Sequence, residues 1–126
     1  MWERSWSVAG WTPVVLSEKD AMTHPYYHAF KIRVGSYPLA AQGGGRDYEV
    51  ACYLRHLAMA NVGGGWLTDY DVFNVNLPPP PNCDWLPNDG KFTTRDAFIP
   101  AVTTGTSDEF LRVAREIGRA SCRERV

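Results

Sequence analysis

Hydrophobic and polar positions fall into blocks whose period changes several times along this chain. The clearest block covers residues 47 to about 61, where Val50, Leu54, Leu57 and Ala58 recur at intervals of three and four. That spacing predicts an amphipathic helix with one stripe facing a core. Asp47 suits its first turn, and Gly63 is a natural stop, because glycine accepts the left-handed conformation that ends helices. A buried strand over residues 66–72 is expected next.

Upstream, residues 2–9 read as a short amphipathic helix closed by Gly10, and residues 13–16 as an apolar strand. Ser17 fits the N-cap of a short helix through Ala21, with Glu18 and Asp20 in its first turn. Residues 26–34 read as a further helix, ending at Gly35, and residues 43–45 (Gly-Gly-Gly) as a flexible loop. Downstream, Leu77 and the prolines at 78–81 cannot continue a sheet, since proline lacks the ladder donor; they predict a rigid surface connection. Residues 91–94 and 98–102 read as strands, with Pro100 marking an edge or bulge. Thr106 with Glu109 fits a capping box opening a helix that carries Phe110, Leu111 and Val113. Helices alternating with strands predict an α/β layer structure.

Bulk properties narrow the function. An apolar share of 44% is enough for a packed core. Lys and Arg are not clustered, which argues against a nucleic-acid surface. No apolar run is long enough to span a membrane, and no charged-then-apolar leader is visible. Cys52, Cys83 and Cys122 have neither zinc nor redox spacing; Cys52, within the apolar helical pattern, is expected to be a buried thiol.

The last ten residues, 117–126, change the count. One choice of codons for them, ATC GGA AGA GCG TCG TGT AGG GAA AGA GTG, is a reading frame of a widely used sequencing adapter. Residues 1–115 are therefore expected to be the natural part, a piece of a larger domain, and residues 116–126 an adapter-derived artefact. With Arg119, Arg123, Arg125, Glu116 and Glu124 set aside, the 13 basic and 14 acidic residues fall to 10 and 12, a net charge of −2.

Candidate chemistry concentrates at Gly63-Gly64-Gly65-Trp66-Leu67-Thr68-Asp69-Tyr70-Asp71. On an extended backbone residues i and i+2 point to one side, so Asp69 and Asp71 are expected to converge on one hard cation. Mg2+ or Mn2+ prefers oxygen ligands and often sits between carboxylates and substrate phosphates. Asp-x-Asp alone carries little weight; its context at the carboxyl end of a strand, where open α/β sheets bind ligands, adds more. The alternative is a solvated turn, in which Asp is common. Phe73 stands where a haloacid-dehalogenase phosphatase wants Thr or Val, and Val72 and Phe73 interrupt an EF-hand pattern. His24, His28 and His56 form no convincing metal set. Trp66 and Tyr70 could stack on a sugar or base, or pack in a core.

Gly64-Gly65-Trp66-Leu67-Thr68-Asp69-Tyr70-Asp71-Val72 resembles the Gly-Gly-x-Tyr-x-Asp-x-Asp-Val core of GT-A-fold glycosyltransferases with a DXD sugar-binding region, of the family-32-like group. Leu67 takes the aromatic position, with Trp66 one residue earlier. The family carries an Arg on the preceding helix; Arg55 stands about one residue off, with Cys52 where an Asp is usual. The resemblance implies an α/β fold of partial GT-A, Rossmann-like type. It also implies metal-dependent transfer of a sugar from a nucleotide-diphosphate donor to an acceptor hydroxyl, with retained configuration and no dedicated general base. Asp71 would ligate Mn2+ or Mg2+ directly. Asp69 would contact donor ribose or sugar, or the cation through water, and Gly64, Gly65 and Arg55 would line the donor site. A non-catalytic nucleotide-sugar or glycan-binding domain remains the alternative. Donor, acceptor (glycan, protein or lipid) and compartment, Golgi or cytoplasm, stay open at this level.

Overall fold

The long apolar stripe forms the helix it predicts. In a computed structural model that describes residues 1–36, 45–79, 86–95 and 101–124, α4 runs over Gly45–Asn61. Before it come α1 (Trp2–Val8), α2 (Glu18–Met22) and α3 (Tyr27–Gly35); after it come β1 (Gly64–Thr68), β2 (Thr93–Thr94), β3 (Val102–Thr106) and α5 (Ser107–Glu124). The chain is mixed α and β, with helices and one small three-stranded sheet of order β1-β3-β2. The described residues gather into two compact units. The first comprises residues 1–15 and 65–106, the second residues 16–64 and 107–126.

The second unit is a helical core. Tyr27, Phe30 and Val34 on α3 recur one face apart and are buried, as are Leu54, Leu57 and Ala58 on α4. Phe110, Ala114 and Gly118 lie four residues apart on α5 and are also buried. Leu16, Val50, Leu111 and Ile117 pack at the margin of this cluster. Helix α5 continues through residue 116 without a break, because Ile117 and Gly118 keep the periodicity that Phe110 and Ala114 begin.

Helix ends here are tied by side chains. The Ser17 N–H donates to the Asp20 carboxylate at 2.8 Å, one arm of a capping box on α2. At the other end of α2, the Asn61 amide donates to the Asp20 carbonyl (2.8 Å) and to the Thr23 hydroxyl (2.9 Å). The Ser107 hydroxyl donates to the Ala60 carbonyl, which takes up one of the orphan acceptors at the end of α4. Gly63 then turns the chain with φ +100°.

The first unit holds the sheet. β2 and β3 are antiparallel, with Thr93 opposite Thr104 and Thr94 opposite Thr103. The β-branched threonines suit the pleated backbone. Two of them, Thr103 and Thr104, are buried, and among the described residues their hydroxyl oxygens have no hydrogen-bond partner.

Several strand expectations need correction. Residues 13–16 form no strand: Val14 and Val15 are largely exposed, and among the described residues no strand pairs with the segment, which includes Pro13. The strand expected at 66–72 is instead Gly64–Thr68, and only Gly65 in it is buried. Of the strand expected at 98–102, residues 98–100 lie outside the described residues, and β3 begins at Val102, running up to the start of α5. The loop glycines Gly43 and Gly44, together with Pro80, Pro81 and Cys83, likewise lie outside the described residues. Cys52 is half-buried rather than enclosed.

Two consequences can be measured. Thr104→Val removes a buried hydroxyl that lacks a partner while keeping the side-chain shape. It should therefore raise stability by about 1 kcal/mol in urea denaturation, since an unsatisfied buried group costs about 1–3 kcal/mol.

His56 supplies the second. Burial pushes its imidazole below the ordinary range, against the raising effect of the Nδ1 contact with the Tyr53 carbonyl (3.0 Å), and the Arg55 charge lowers it further. His24 is depressed in the same direction, by burial and by Arg115. A depressed folded-state value means that the unfolded chain binds more protons. The resulting stability is present above the unfolded imidazole value, about pH 6.5, and is lost as pH falls through the folded one. Urea midpoints should drop between pH 7.5 and pH 5, and His56→Gln should flatten that slope.

Candidate functional site

The chain enters β1 from α4 through three consecutive glycines with positive φ: Gly63 at 100°, Gly64 at 77° and Gly65 at 129°. A side chain at such angles clashes with its own backbone, so the triplet is a conformational requirement of the entry into the strand. Gly65 is buried and Gly64 half-buried. This requirement accounts for both glycines without any ligand.

At the far end of β1 the ladder continues by one residue. The Asp69 N–H donates to the carbonyl of Ala101, the residue before β3, at 3.0 Å. Its own carbonyl accepts from the Val72 N–H at 3.1 Å, which closes a four-residue turn over residues 69–72. The expectation that Asp69 and Asp71 share one side of an extended strand is therefore corrected: Asp69 opens the turn and Asp71 is its third residue. Asp69 is half-buried, Asp71 is exposed, and Tyr70 between them is 85% exposed.

Tryptophan side chains support this segment. The Trp2 indole N–H donates to the Thr68 hydroxyl at 3.0 Å, and that of Trp6 to the Val72 carbonyl at 2.9 Å. Trp11 donates to the Leu77 carbonyl at 2.8 Å. The Ser5 hydroxyl accepts the Asn74 N–H at 3.1 Å, and the Asn74 side chain in turn brackets Leu77, accepting from its N–H (2.8 Å) and donating to its carbonyl (2.7 Å). The rings also pack on one another. Trp6 and Trp11 meet edge-on at 5.4 Å, Trp11 and Trp66 lie 5.0 Å apart, and the Arg95 guanidinium sits 5.5 Å from the Trp66 centroid. Trp66 is thus a packing residue of its unit, whereas Tyr70 is available to solvent.

Beside the turn lies an open depression of about 750 Å3, lined by Trp2, Arg4, Tyr70 and Phe73 among others. A second, of about 710 Å3, shares Arg4 and Phe73 and extends along residues 73–78. Sequence reasoning passed over Trp2, Trp6 and Trp11; the available signal was the i, i+4 placement of Trp2 and Trp6 on one helical face.

Among the described residues, no three His, Cys, Asp or Glu side chains gather into a metal-holding cluster. A cation at Asp69 and Asp71 would therefore complete its shell from substrate oxygens and water, as Mg2+ commonly does. The two carboxylates suit that role: both are hard oxygen donors, and that of Asp71 is on an exposed residue. Arg55 lies on α4, in the second unit, half-buried with its Nε enclosed. His28 is exposed, and the Nδ1 of His24 accepts the Tyr26 N–H at 3.0 Å. Among the described residues no helix is long and apolar enough to cross a membrane. In comparisons with protein-family models, curated proteins and solved structures, nothing matches this chain.

The glycine requirement is directly testable. Gly65→Ala forces an L residue to φ near 129° in a buried position, and should cost about 1–2 kcal/mol or more. Urea denaturation followed by tryptophan fluorescence reads it, and an unchanged midpoint would mean that the strand entry relaxes freely.

Proposed function

We propose that the turn over residues 69–72 is the cation and diphosphate site of a glycosyltransferase of GT-A type, the chain being part of that domain. The observation that carries this reading is the position of Asp69. It is the last residue of the β1 ladder and the first of a closed turn, so two carboxylates are delivered together at the carboxyl end of a strand. Parallel α/β sheets gather ligands at that end; here β2 and β3 run antiparallel, so the turn itself carries the assignment. The DXD-like run from Gly64 to Val72 supports the same assignment.

When bound, a divalent cation supplies charge neutralisation to a departing diphosphate. The chain's own groups divide the remaining work. Asp71, exposed at the turn, is the direct ligand. Asp69 faces donor ribose or sugar, or reaches the cation through water. Gly64, half-buried, and Gly65, buried, are assigned to the donor site on the strength of the resemblance alone. Arg55 is assigned a donor contact on the strength of the resemblance alone. Mn2+ or Mg2+ is the cofactor, a nucleotide sugar the donor, and a glycan, protein or lipid hydroxyl the acceptor.

The second reading, a domain that binds a nucleotide sugar or glycan without turnover, rests on the same turn. A titration separates the outcomes. Calorimetry with MnCl2, alone and with UDP or GDP, should show uptake that strengthens when the nucleotide is present. Asp71→Ala should weaken Mn2+ binding by at least about tenfold, the scale on which even indirect metal partners matter. Its unfolding midpoint should not change, because Asp71 is exposed. The chain, as part of the domain, is expected to be inactive by itself. Hydrolysis or transfer of a nucleotide sugar by a longer protein that contains it marks an enzyme, and binding without turnover there marks the recognition domain. No uptake by the unmodified chain rejects both in favour of a solvated turn.

A further inference from the structure

Trp2 and Trp6 sit four residues apart on one face of α1, and their acceptors at Thr68 and Val72 are also four residues apart. Both hydrogen bonds span the same 66-residue separation. The two sides are not equivalent in length. Four residues of helix rise about 6 Å, whereas four residues of strand advance about 13 Å. A pair of donors on one helical face therefore matches acceptors on a folded segment far better than on an extended one. Between those acceptors lie Asp69, Tyr70 and Asp71.

We propose that Trp2 and Trp6 are positioning residues. Their indole N–H groups clamp the two ends of the aspartate turn and select it over a continued strand, so that Asp69 and Asp71 are presented in one fixed arrangement. The role in cation binding rests on the reading of the turn given above; the conformational role does not. Three features support the clamp. Trp6 is buried, at 6% exposure, so its donor has little access to water and depends on the Val72 carbonyl. Ser5, between the two tryptophans in sequence, holds the Asn74 N–H, just beyond the turn. Trp11 repeats the 66-residue separation but reaches Leu77, five residues past Val72. It provides an internal control of the same bond type.

The experiment uses the 126-residue chain and two readouts. Amide exchange at Val72 reports the closed turn without any metal. In Trp2→Phe and Trp6→Phe, which keep an aromatic ring but lose the donor, it should accelerate roughly two- to tenfold, the scale of one hydrogen bond. Thr68→Val, which keeps both indoles and removes only the acceptor, should reproduce the effect of Trp2→Phe. Trp11→Phe should lower overall stability by a comparable amount yet leave Val72 exchange unchanged. In calorimetry, Mn2+ binding should weaken in the first three variants and not in Trp11→Phe.

Unchanged Val72 exchange in Trp6→Phe and Thr68→Val overturns the clamp, even if Mn2+ binds. Equal acceleration in Trp11→Phe also overturns it, because the effect would then be general loosening. Faster exchange with unaltered Mn2+ affinity overturns the positioning role. Absence of Mn2+ uptake by the unmodified chain rejects the cation reading instead, and leaves exchange to judge the turn alone.

Discussion

Asp69 carries two backbone hydrogen bonds that belong to different structures. Its N–H extends the ladder toward Ala101, and its carbonyl closes a turn with Val72. A residue in the middle of an antiparallel edge strand would pair both groups with its neighbour or turn both away from it. Here the division fixes where β1 stops and sets the first aspartate half inside the structure while the second stands outside. The half-buried position of Asp69, the exposure of Asp71 and the exposure of Tyr70 all follow from that switch. So does the depression beside Tyr70 and Phe73, since a continuing strand would carry both residues elsewhere.

The two units solve the same burial problem with different materials. The helical unit relies on aliphatic and aromatic side chains at three- and four-residue spacing, sealed at its ends by Asn61 and Ser107. Directional bonds there serve mainly to satisfy helix termini. In the sheet unit β2 has two residues, and β3 buries threonines rather than large hydrophobes. The unit compensates with tryptophans, Trp6 buried and Trp2 and Trp11 half-buried, each supplying one donor. Trp2, Trp6 and Trp11 together hold segment 68–77, which leaves the β1 ladder after Asp69. Removing a ring there costs packing and leaves a carbonyl or hydroxyl without a donor, which is why ring-preserving substitutions isolate the directional part.

How much of this was legible in the sequence depends on whether the deciding interaction was local. The stripe of Val50, Leu54, Leu57 and Ala58 places α4 correctly because 3.6-residue periodicity acts within the helix itself. Ser17 with Asp20 and Gly63 also act over one turn, and both ends came out as read. The apolar run at residues 13–16 misled because hydrophobicity without a pairing partner does not make a strand. At 66–72 the apolar run suggested one continuous strand. The chain instead leaves the ladder after Asp69, where its partners are the distant Ala101 carbonyl and the indole donors of Trp2 and Trp6. No local window contains those partners. The acidic pair itself was visible, along with the glycine run that precedes it, but its backbone geometry was not.

That geometry bears on the chemistry in a specific way. Along a strand, alternate Cα atoms lie about 6.6 Å apart and stay so, and two carboxylates must lean together to share an ion. A closed turn brings its first and fourth Cα atoms within about 7 Å, which shortens the backbone path across the two aspartates. Wherever two carboxylates converge on one cation, the like charges repel when that cation is absent. Tethering the turn at Thr68 and at Val72 from outside, by donors that carry no formal charge, opposes that repulsion without neutralising either carboxylate. A lysine or arginine in the same place would fix the turn equally well but would compete with the cation for Asp69 and Asp71. Neutral indole donors leave the negative charge intact for a ligand, and on the proposed reading that is the property the site requires.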